Sequence, residues 1–526
     1  MKKITEPVIL AADLGTSSMK VALITVSGKV LGWEALPIQL KLTADGGVEQ
    51  NPEEWWQAFM TCTRKLLARD IVAVSSVLAV CCSTQGEGTI PVDKEGKALM
   101  NCVLWMDMRG QPDLLHHFKG LVNISGMDAG KVFNWIRLTG GMPSASGKDP
   151  AAHMLFIRNH FPELYARTYK FLNVLDYLNL RLTGRFTATF DSIFTSWVTD
   201  NRNPDNIQYD RGLVNASGID AEKFPEIVPC TAVLGELKAD VAKELGLLPS
   251  VKVVAGAIDT TAAAIGSGAV EDSHMHLYLG TSSWMAAHVP YKKTDIASAM
   301  ASLPCALPGH YLLTALQATA GGNLNFLRDK VIYHKDELLQ EGEVPDIFKY
   351  LDQIAARVPA GSNGVLYTPW IWGERAPVED KTLRAGLYNL SLHNSREDII
   401  RAFLEGIALN TRWLLQPVKR FLKHEVEQIN IVGGGAQSDV WCQIFADVMN
   451  VTIRQVEEPV YANARGAAWI GAAGLKEVNF TDIPVLVKIR RSYEPDLMNQ
   501  SIYDQRYAQF LSIYEHMKSV YHRMNS

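Results

Sequence analysis

Val8 to Ala12 is a five-residue apolar run that stops at Asp13, and Met19 to Val26 resumes the apolar pattern. Between them lies Leu14-Gly15-Thr16-Ser17-Ser18. Short apolar runs bounded by Gly, Asp and Ser read as buried strands joined by tight turns. Ser27-Gly28-Lys29 turns the chain again and Val30 to Ile38 forms a third strand, so the opening predicts a meander. Asn51-Pro52-Glu53-Glu54 then carries a helix start: a cap residue, a proline in the first turn and two acids at the positive dipole end. A strand is expected next, over Val72 to Cys82.

The opening pattern returns half a chain later. His276 to Leu279 is again strand-like and is followed by Gly280-Thr281-Ser282-Ser283, so both places read Leu-Gly-Thr-Ser-Ser after an apolar strand. A duplicated α/β domain with a cleft between the halves is the economical reading. The segment Ala151 to Arg185 reads as helical, with apolar residues three and four apart. The strand Val251 to Ala255 runs into an alanine-rich helix, which places the junction there and divides the chain into 1–256 and 257–526. Beyond Ser492 the chain is polar and helix-like.

Composition narrows the class. The chain has 526 residues, net charge −5, 47% hydrophobic and 20% charged residues, which fits an ordinary globular protein and excludes disorder as the main state. A slight acidic excess does not favour a nucleic-acid binder. Seven cysteines without a CxxC pair give neither a disulfide framework nor a zinc site. No run of 18 apolar residues occurs, and the apolar stretch near the N-terminus is too short for a secretory signal. A soluble, cytoplasmic protein with no membrane or nucleic-acid partner is expected.

Three glycine turns are candidates for anion binding. Asp13-Leu14-Gly15-Thr16-Ser17 and Gly280-Thr281-Ser282 read either as simple hairpin turns or as N–H and hydroxyl cradles for phosphate. Gly433-Gly434-Gly435-Ala436 follows the strand Gln428 to Val432 and is either a tight strand-to-helix turn or a shelf for a flat ligand. The phosphate loop GxxxxGK[ST], GxGxxG, GxSxG and HExxH are all missing from the sequence. Asp259 reads as a helix cap before its alanine run or as a general base at a domain junction. Asp13 is a turn residue or a carboxylate near a metal–phosphate complex. Two carboxylates beside two phosphate-type turns suit phosphoryl transfer. Gln85-Gly86-Glu87-Gly88 and Trp105-Met106-Asp107-Met108-Arg109 offer ring stacking and polar groups for a polyol, or are surface residues around a packed Trp.

Taken together, these motifs resemble the FGGY carbohydrate kinases of the actin-like ATPase superfamily, and most closely their xylulokinase-like, pentulose-phosphorylating branch. Asp13 to Ser17 is similar to the family's first phosphate motif, Gly280-Thr281-Ser282 to the second and Gly433 to Ala436 to the adenosine motif. Ala255 to Ala263 resembles GGGDNAA, Trp105 to Arg109 resembles W-N-D-x-R, and Asp176 to Gly184 and Gly373 to Pro377 resemble DYLxxxLTG and GERxP. The resemblance implies two ribonuclease-H-like domains closing over ATP, Mg²⁺ and a sugar. It implies Asp259 as the base that deprotonates the terminal sugar hydroxyl and Asp13 as a water-mediated Mg²⁺ ligand. Gly15, Thr16, Ser17, Gly280, Thr281 and Ser282 would hold phosphates, and Gly434, Gly435 and Ala436 the nucleotide. Gln85, Gly86, Glu87, Trp105, Asp107, Arg109, Asp259 and Thr260 would meet the sugar. Homodimers are common among family members.

The match has departures. Xylulokinases carry Gln-Met-His-Gly where this chain has Gln85-Gly86-Glu87-Gly88, Met106 replaces the Asn of W-N-D-x-R, and Thr260 replaces the Asn after the base. An ionised Glu accepts from hydroxyls but cannot donate. D-xylulose, ribulose, L-xylulose and a sugar alcohol such as erythritol are therefore all open, while the Arg-Glu pair of glycerol kinases is missing. A non-catalytic, sugar-sensing actin-like protein is the rival reading. The retained Asp259 argues against it.

Overall fold

The computed structural model describes residues 6–333 and 347–525. The first half builds a six-stranded sheet from β1 (Val8–Leu14), β2 (Ser18–Thr25), β3 (Val30–Pro37), β4 (Val77–Thr84), β5 (Val233–Glu236) and β6 (Lys252–Ile258), in the order β5-β6-β4-β1-β2-β3. All seven residues of β1 are buried, as a central strand covered on both faces requires, whereas β3 alternates toward solvent as an edge strand. The helix Pro52–Leu67 begins as its cap predicts, with the Asn51 side chain accepting the Glu53 N–H. The expected strand at Val72 starts only at Val77. Ser75 and Ser76 close a short 3₁₀ turn instead, with the Ser76 N–H donating to the Ala73 carbonyl at 2.9 Å.

The second half repeats the plan. The strands β7 (Met275–Leu279), β8 (Ser283–Val289), β9 (Thr294–Asp295), β10 (Met300–Pro304), β11 (Tyr311–Gln317), β12 (Gln428–Val432), β13 (Thr452–Val456) and β14 (Ile489–Tyr493) stand in the order β9-β10-β11-β8-β7-β12-β13-β14. Both sheets share one core: an antiparallel three-strand meander, then two parallel strands beside its first strand. The repeated Leu-Gly-Thr-Ser-Ser is the turn of the first hairpin in each. The duplicated α/β architecture expected from the sequence is the architecture observed.

Two helices join the halves. α1 (Asp259–Gly266) continues directly from β6, and the expected junction at 256/257 falls inside that strand, which runs to Ile258. α2 (Ala462–Gly474) comes from the second half, yet it packs on the face of the first sheet with Ile9, Ala11, Ala79 and Cys81. Eleven of its thirteen residues are buried, and its small side chains explain how it fits. A Cβ on Gly266 would collide with the Ala462 carbonyl, and one on Gly466 with the Ala262 carbonyl. The helices therefore touch backbone to backbone at two reciprocal points. Trp469 Nε1 donates to the Val26 carbonyl at 3.2 Å and Arg465 Nε to the Gly28 carbonyl at 3.2 Å, fastening α2 to the β2–β3 turn. The last helix, Leu497–Asn525, lies on the second domain through Tyr503, Phe510 and Tyr521. Among the described residues, no helix is long and apolar enough to cross a membrane.

The close crossing makes a sharp prediction. Gly466→Ala should destabilise the protein by about 1–3 kcal/mol through overpacking, although Ala is the better intrinsic helix former by about 1 kcal/mol. Urea unfolding checks the sign: a stabilised variant would show that the two helices do not meet as described.

Candidate active site

The C-terminal ends of β1, β4 and β6 lie side by side, with Leu14 in register with Thr84 and Thr84 with Ile258. Three chain segments leave that edge together: Gly15 to Ser18, Gln85 to Gly88, and Asp259 at the start of α1. Ligands of open α/β sheets bind at such carboxyl ends. The Gly15 N–H closes its turn on the Ser18 carbonyl at 3.0 Å, and Ser17 is exposed at the tip.

Thr16 ties this turn to the neighbouring loops. Its hydroxyl donates to Gln85 Oε1 at 2.9 Å and accepts from Trp105 Nε1 at 3.2 Å. Gln50 Nε2 donates to the Thr16 carbonyl at 2.6 Å, while Gln50 Oε1 accepts from Gln85 Nε2 at 2.9 Å and Trp55 Nε1 at 3.2 Å. Gln85 itself is anchored by its N–H on the Leu14 carbonyl at 2.7 Å. The first turn, the Gln85 loop and Trp105 are thus one hydrogen-bonded unit.

Carboxylates gather at the strand ends. Asp13, 4% exposed, pairs with Lys20 Nζ at 3.3 Å, its cross-strand neighbour in β2, and accepts from Asn463 Nδ2 at 3.3 Å, which reaches in from α2. Asn463 Oδ1 is buried without a hydrogen-bond partner. Asp259 is half-buried, and its carboxyl is pushed up to about 7, first by burial and then by the negative charge of Asp13, with smaller contributions from Glu87 and Asp191. Thr260 follows it, half-buried, and its backbone N–H pulls the value partly back. A Cβ added at Gly86 would meet the Ile258 side chain at 3.6 Å, an ordinary van der Waals contact. Glu87 adopts a left-handed backbone at φ 60°. Burial raises its pKa, while Arg375 from the second domain and Lys148 from the first draw it back down.

Asp107 and Arg109 are turned toward one another. Asp107, fully buried, accepts from the Val48 N–H at 2.8 Å, the Arg109 N–H at 2.9 Å, and Arg109 Nε and Nη2 at 3.0 and 2.8 Å. Arg109 also reaches Glu49 at 2.8 Å and Asp45 at 3.1 Å. The pair braces the Trp105 loop from beneath. Trp105 and Met106 are the half-exposed part of the loop.

Across the cleft, Gly280 closes the second turn on the Ser282 carbonyl at 2.9 Å and leaves Thr281 exposed. The Gly280 and Thr281 carbonyls accept the N–H groups of Gly321 and Gly322 at 2.9 and 3.0 Å. Gly433 has φ +94°, and a Cβ there would stand 2.7 Å from the Leu279 carbonyl, so glycine is required. Gly435 is as tightly packed on the Leu279 side chain, whereas Gly434 is exposed with open space around it. Ala436 is buried, its carbonyl held by Gln455 Nε2 at 2.7 Å. Glu374 braces this side: it accepts from the Ala318 N–H at 2.7 Å and Asn410 Nδ2 at 2.6 Å, and burial lifts its carboxyl to about 7.

Two equivalent hairpin turns and a glycine turn thus lie at the strand ends of duplicated domains, with a desolvated carboxylate beside the first. The profile of the FGGY family of carbohydrate kinases, N-terminal domain, matches residues 8–266, and that of the C-terminal domain matches residues 275–475. The chain belongs to the FGGY family of carbohydrate kinases. It is accordingly a phosphotransferase acting on a sugar, with ATP as the family's phosphate donor. A xylulose kinase of Staphylococcus epidermidis is 27% identical over 98% of this chain and 97% of its own. A gluconokinase of Bacillus licheniformis is 24% identical over 90% of this chain and 89% of its own. The crystal structure of a ligand-bound xylulose kinase from Lactobacillus acidophilus superposes with a TM-score of 0.84 at 23% identity, covering 98% of this chain and 100% of that one.

In this FGGY kinase several site residues carried no signal in the sequence. Gln50 sits at the end of a three-residue strand, Asn463 opens an alanine-rich helix, Lys148 follows a loop glycine and Asp191 lies in a helix of four residues. None stands in a periodic pattern or a chemical motif. The Asp107–Arg109 brace gives a prediction: Arg109→Ala leaves a buried carboxylate without its cation and should cost about 3–5 kcal/mol of stability. Guanidinium unfolding measures it, and a loss under about 1 kcal/mol would mean that the pair is solvated like a surface bridge.

Proposed function

We propose that this kinase transfers the γ-phosphate of ATP to the terminal hydroxyl of a ketopentose such as D-xylulose. The observation that carries the reading is Asp259: a half-buried carboxylate at a helix start, held near pH 7 by burial and by Asp13, at the edge where both domains face the cleft. A base needs a pKa near the working pH to take a proton and to be ionised when it does. Asp259 accepts the proton of the sugar hydroxyl as that oxygen forms its bond to the γ-phosphorus. The bond from the γ-phosphorus to the bridging oxygen breaks, and ADP leaves with the electron pair.

The other residues position the partners. The Gly15–Ser18 and Gly280–Ser282 turns offer N–H groups to the phosphates. Since the Thr16 hydroxyl is spent on Gln85 and Trp105, the exposed Ser17 and the backbone carry the first turn's share. Gly434 leaves its backbone open to the flat face of adenine, with Gly433 and Gly435 giving the close packing behind it. Trp105 and Gln85 form the wall for the sugar, and Glu87 accepts from its hydroxyls. Asp13 and the orphaned Asn463 Oδ1 beside it form an oxygen pair that fits a hydrated Mg²⁺. When bound, Mg²⁺ neutralises charge on the β- and γ-phosphates. Lys148 and Arg375 beside Glu87 favour a second acceptor class, an aldonate, whose carboxylate the two cations would meet. The family resemblance also leaves room for a homodimer.

A coupled ADP-release assay with a panel of pentuloses, hexuloses, sugar alcohols and D-gluconate tests the reading. A preferred pentulose is expected; preference for gluconate would move the acceptor to the second class, and no acceptor-dependent ADP release would overturn both acceptor classes. Asp259→Asn should lose about 10²–10⁴-fold in kcat. The acid limb has a defined sign: Asp259 works deprotonated and its pKa is raised to about 7, so kcat/KM should fall as pH drops through about 7 and level off above it. A profile flat between about pH 5.5 and 8 would remove Asp259 from the role of base.

A further inference from the structure

Asp191 lies 67 positions before Ile258 in the chain and is fully buried. One carboxylate oxygen accepts the Ile258 N–H at 2.9 Å. The other accepts from the Thr189 hydroxyl at 2.7 Å and from Cys230 Sγ at 3.3 Å. Thr261, one turn into α1, adds a side-chain hydrogen bond. Four donors from three chain segments therefore converge on one carboxylate, and the described donors are all neutral. A buried carboxylate without a cation is costly, and burial accordingly raises its pKa.

The place where it acts is specific. Ile258 is the last residue of β6 and the residue immediately before Asp259. The chain changes there from strand to helix, with Ile258 at φ −69°, ψ 163° and no side-chain cap of its own on α1. Asp191 is held in turn: Thr189 and Ser192 form a reciprocal capping box, and the Ser192 hydroxyl donates to Asp176 at 2.8 Å. Asp176 also accepts the Asn173 N–H at 3.1 Å. A chain of buried hydrogen bonds thus runs from the helix Val174–Thr183 to the step that aims Asp259.

We propose that Asp191 is a positioning residue for phosphoryl transfer: by holding the Ile258 N–H and the first turn of α1, it fixes the strand-to-helix step that presents the Asp259 carboxylate to the sugar hydroxyl. It touches neither substrate. A displacement of about 1 Å at a catalytic group can cost about 100-fold, so its loss is read in kcat and not in binding. The inference rests on the assignment of Asp259 as base.

The test compares Asp191→Ala, Asp191→Asn and Asp259→Asn in the full chain, with kcat expressed per ATP-binding site counted by calorimetric titration. Asp191→Ala should lower kcat by about 100-fold, with KM for sugar and ATP within about threefold of the parent. Asp191→Asn keeps an oxygen for the Ile258 N–H but turns an amide toward the other donors. It should retain about tenfold more activity than the Ala variant while remaining well below the parent. Should Asp191→Ala fail to fold, Asp191→Asn decides alone: a kcat loss of about fivefold or more at full ATP stoichiometry supports the role, and a kcat within about twofold overturns it. A rise in KM with kcat unchanged also overturns it, because that is a binding role. An Asp259→Asn enzyme of normal kcat removes the base assignment itself, a different failure from a normal Asp191→Asn beside an inactive Asp259→Asn.

Discussion

The backbone contact between α1 and α2 is the constraint on which the rest depends. Gly266 and Gly466 each lie against a carbonyl of the opposite helix, so the two helices cannot slide along each other without collision. One helix grows from the last strand of the first sheet and carries Asp259. The other comes from the second half and carries Asn463 to Asp13. A shear between the domains is blocked by this packing. The same crossing that joins the domains therefore brings Asn463 to Asp13, while the register of β1, β4 and β6 places Asp13 and Asp259 at one edge.

Around this pivot, the site concentrates like charge in a partly dry space. Asp13, Glu87 and Asp191 all bear on Asp259, and burial disfavours ionisation of Glu87, Asp191 and Asp259. Lys20, Lys148 and Arg375 supply the cations, the last from the opposite domain. An arrangement like this is poised for a partner that brings its own balance of charge, as a nucleotide with its cation does. Architecture and electrostatics thus serve one purpose: the fold brings the groups together, and burial, reinforced by the charge of Asp13, keeps one carboxylate basic.

Much of this was legible in the residues. The echo of Leu-Gly-Thr-Ser-Ser marks equivalent hairpins because each is the first turn of the same meander, and Asp259 is visible because an alanine run follows it. What escaped detection has physical causes. Gln50 and Asn463 act through single hydrogen bonds to residues far along the chain, which local periodicity cannot register. Asp107 and Arg109 carry ligand-type groups in sequence, and the fold adds what the sequence does not show, their pairing with each other. The strand expected from Val72 is apolar enough to qualify, but the serines at 75 and 76 favour a turn, and pairing begins five residues later.

The backbone at Glu87 has a consequence for how acceptor preference can drift. A left-handed φ is tolerated by glycine and, among side chains, best by Asn, Asp and His, and it is unfavourable for β-branched residues. The set of side chains available at this position is narrowed by the loop's shape before any ligand is considered. Exchange between an acceptor such as Glu and a ring such as His leaves the loop intact, while Val, Ile or Thr would distort it. New specificities are therefore reached more readily through the polarity of this residue than through added bulk at its β-carbon.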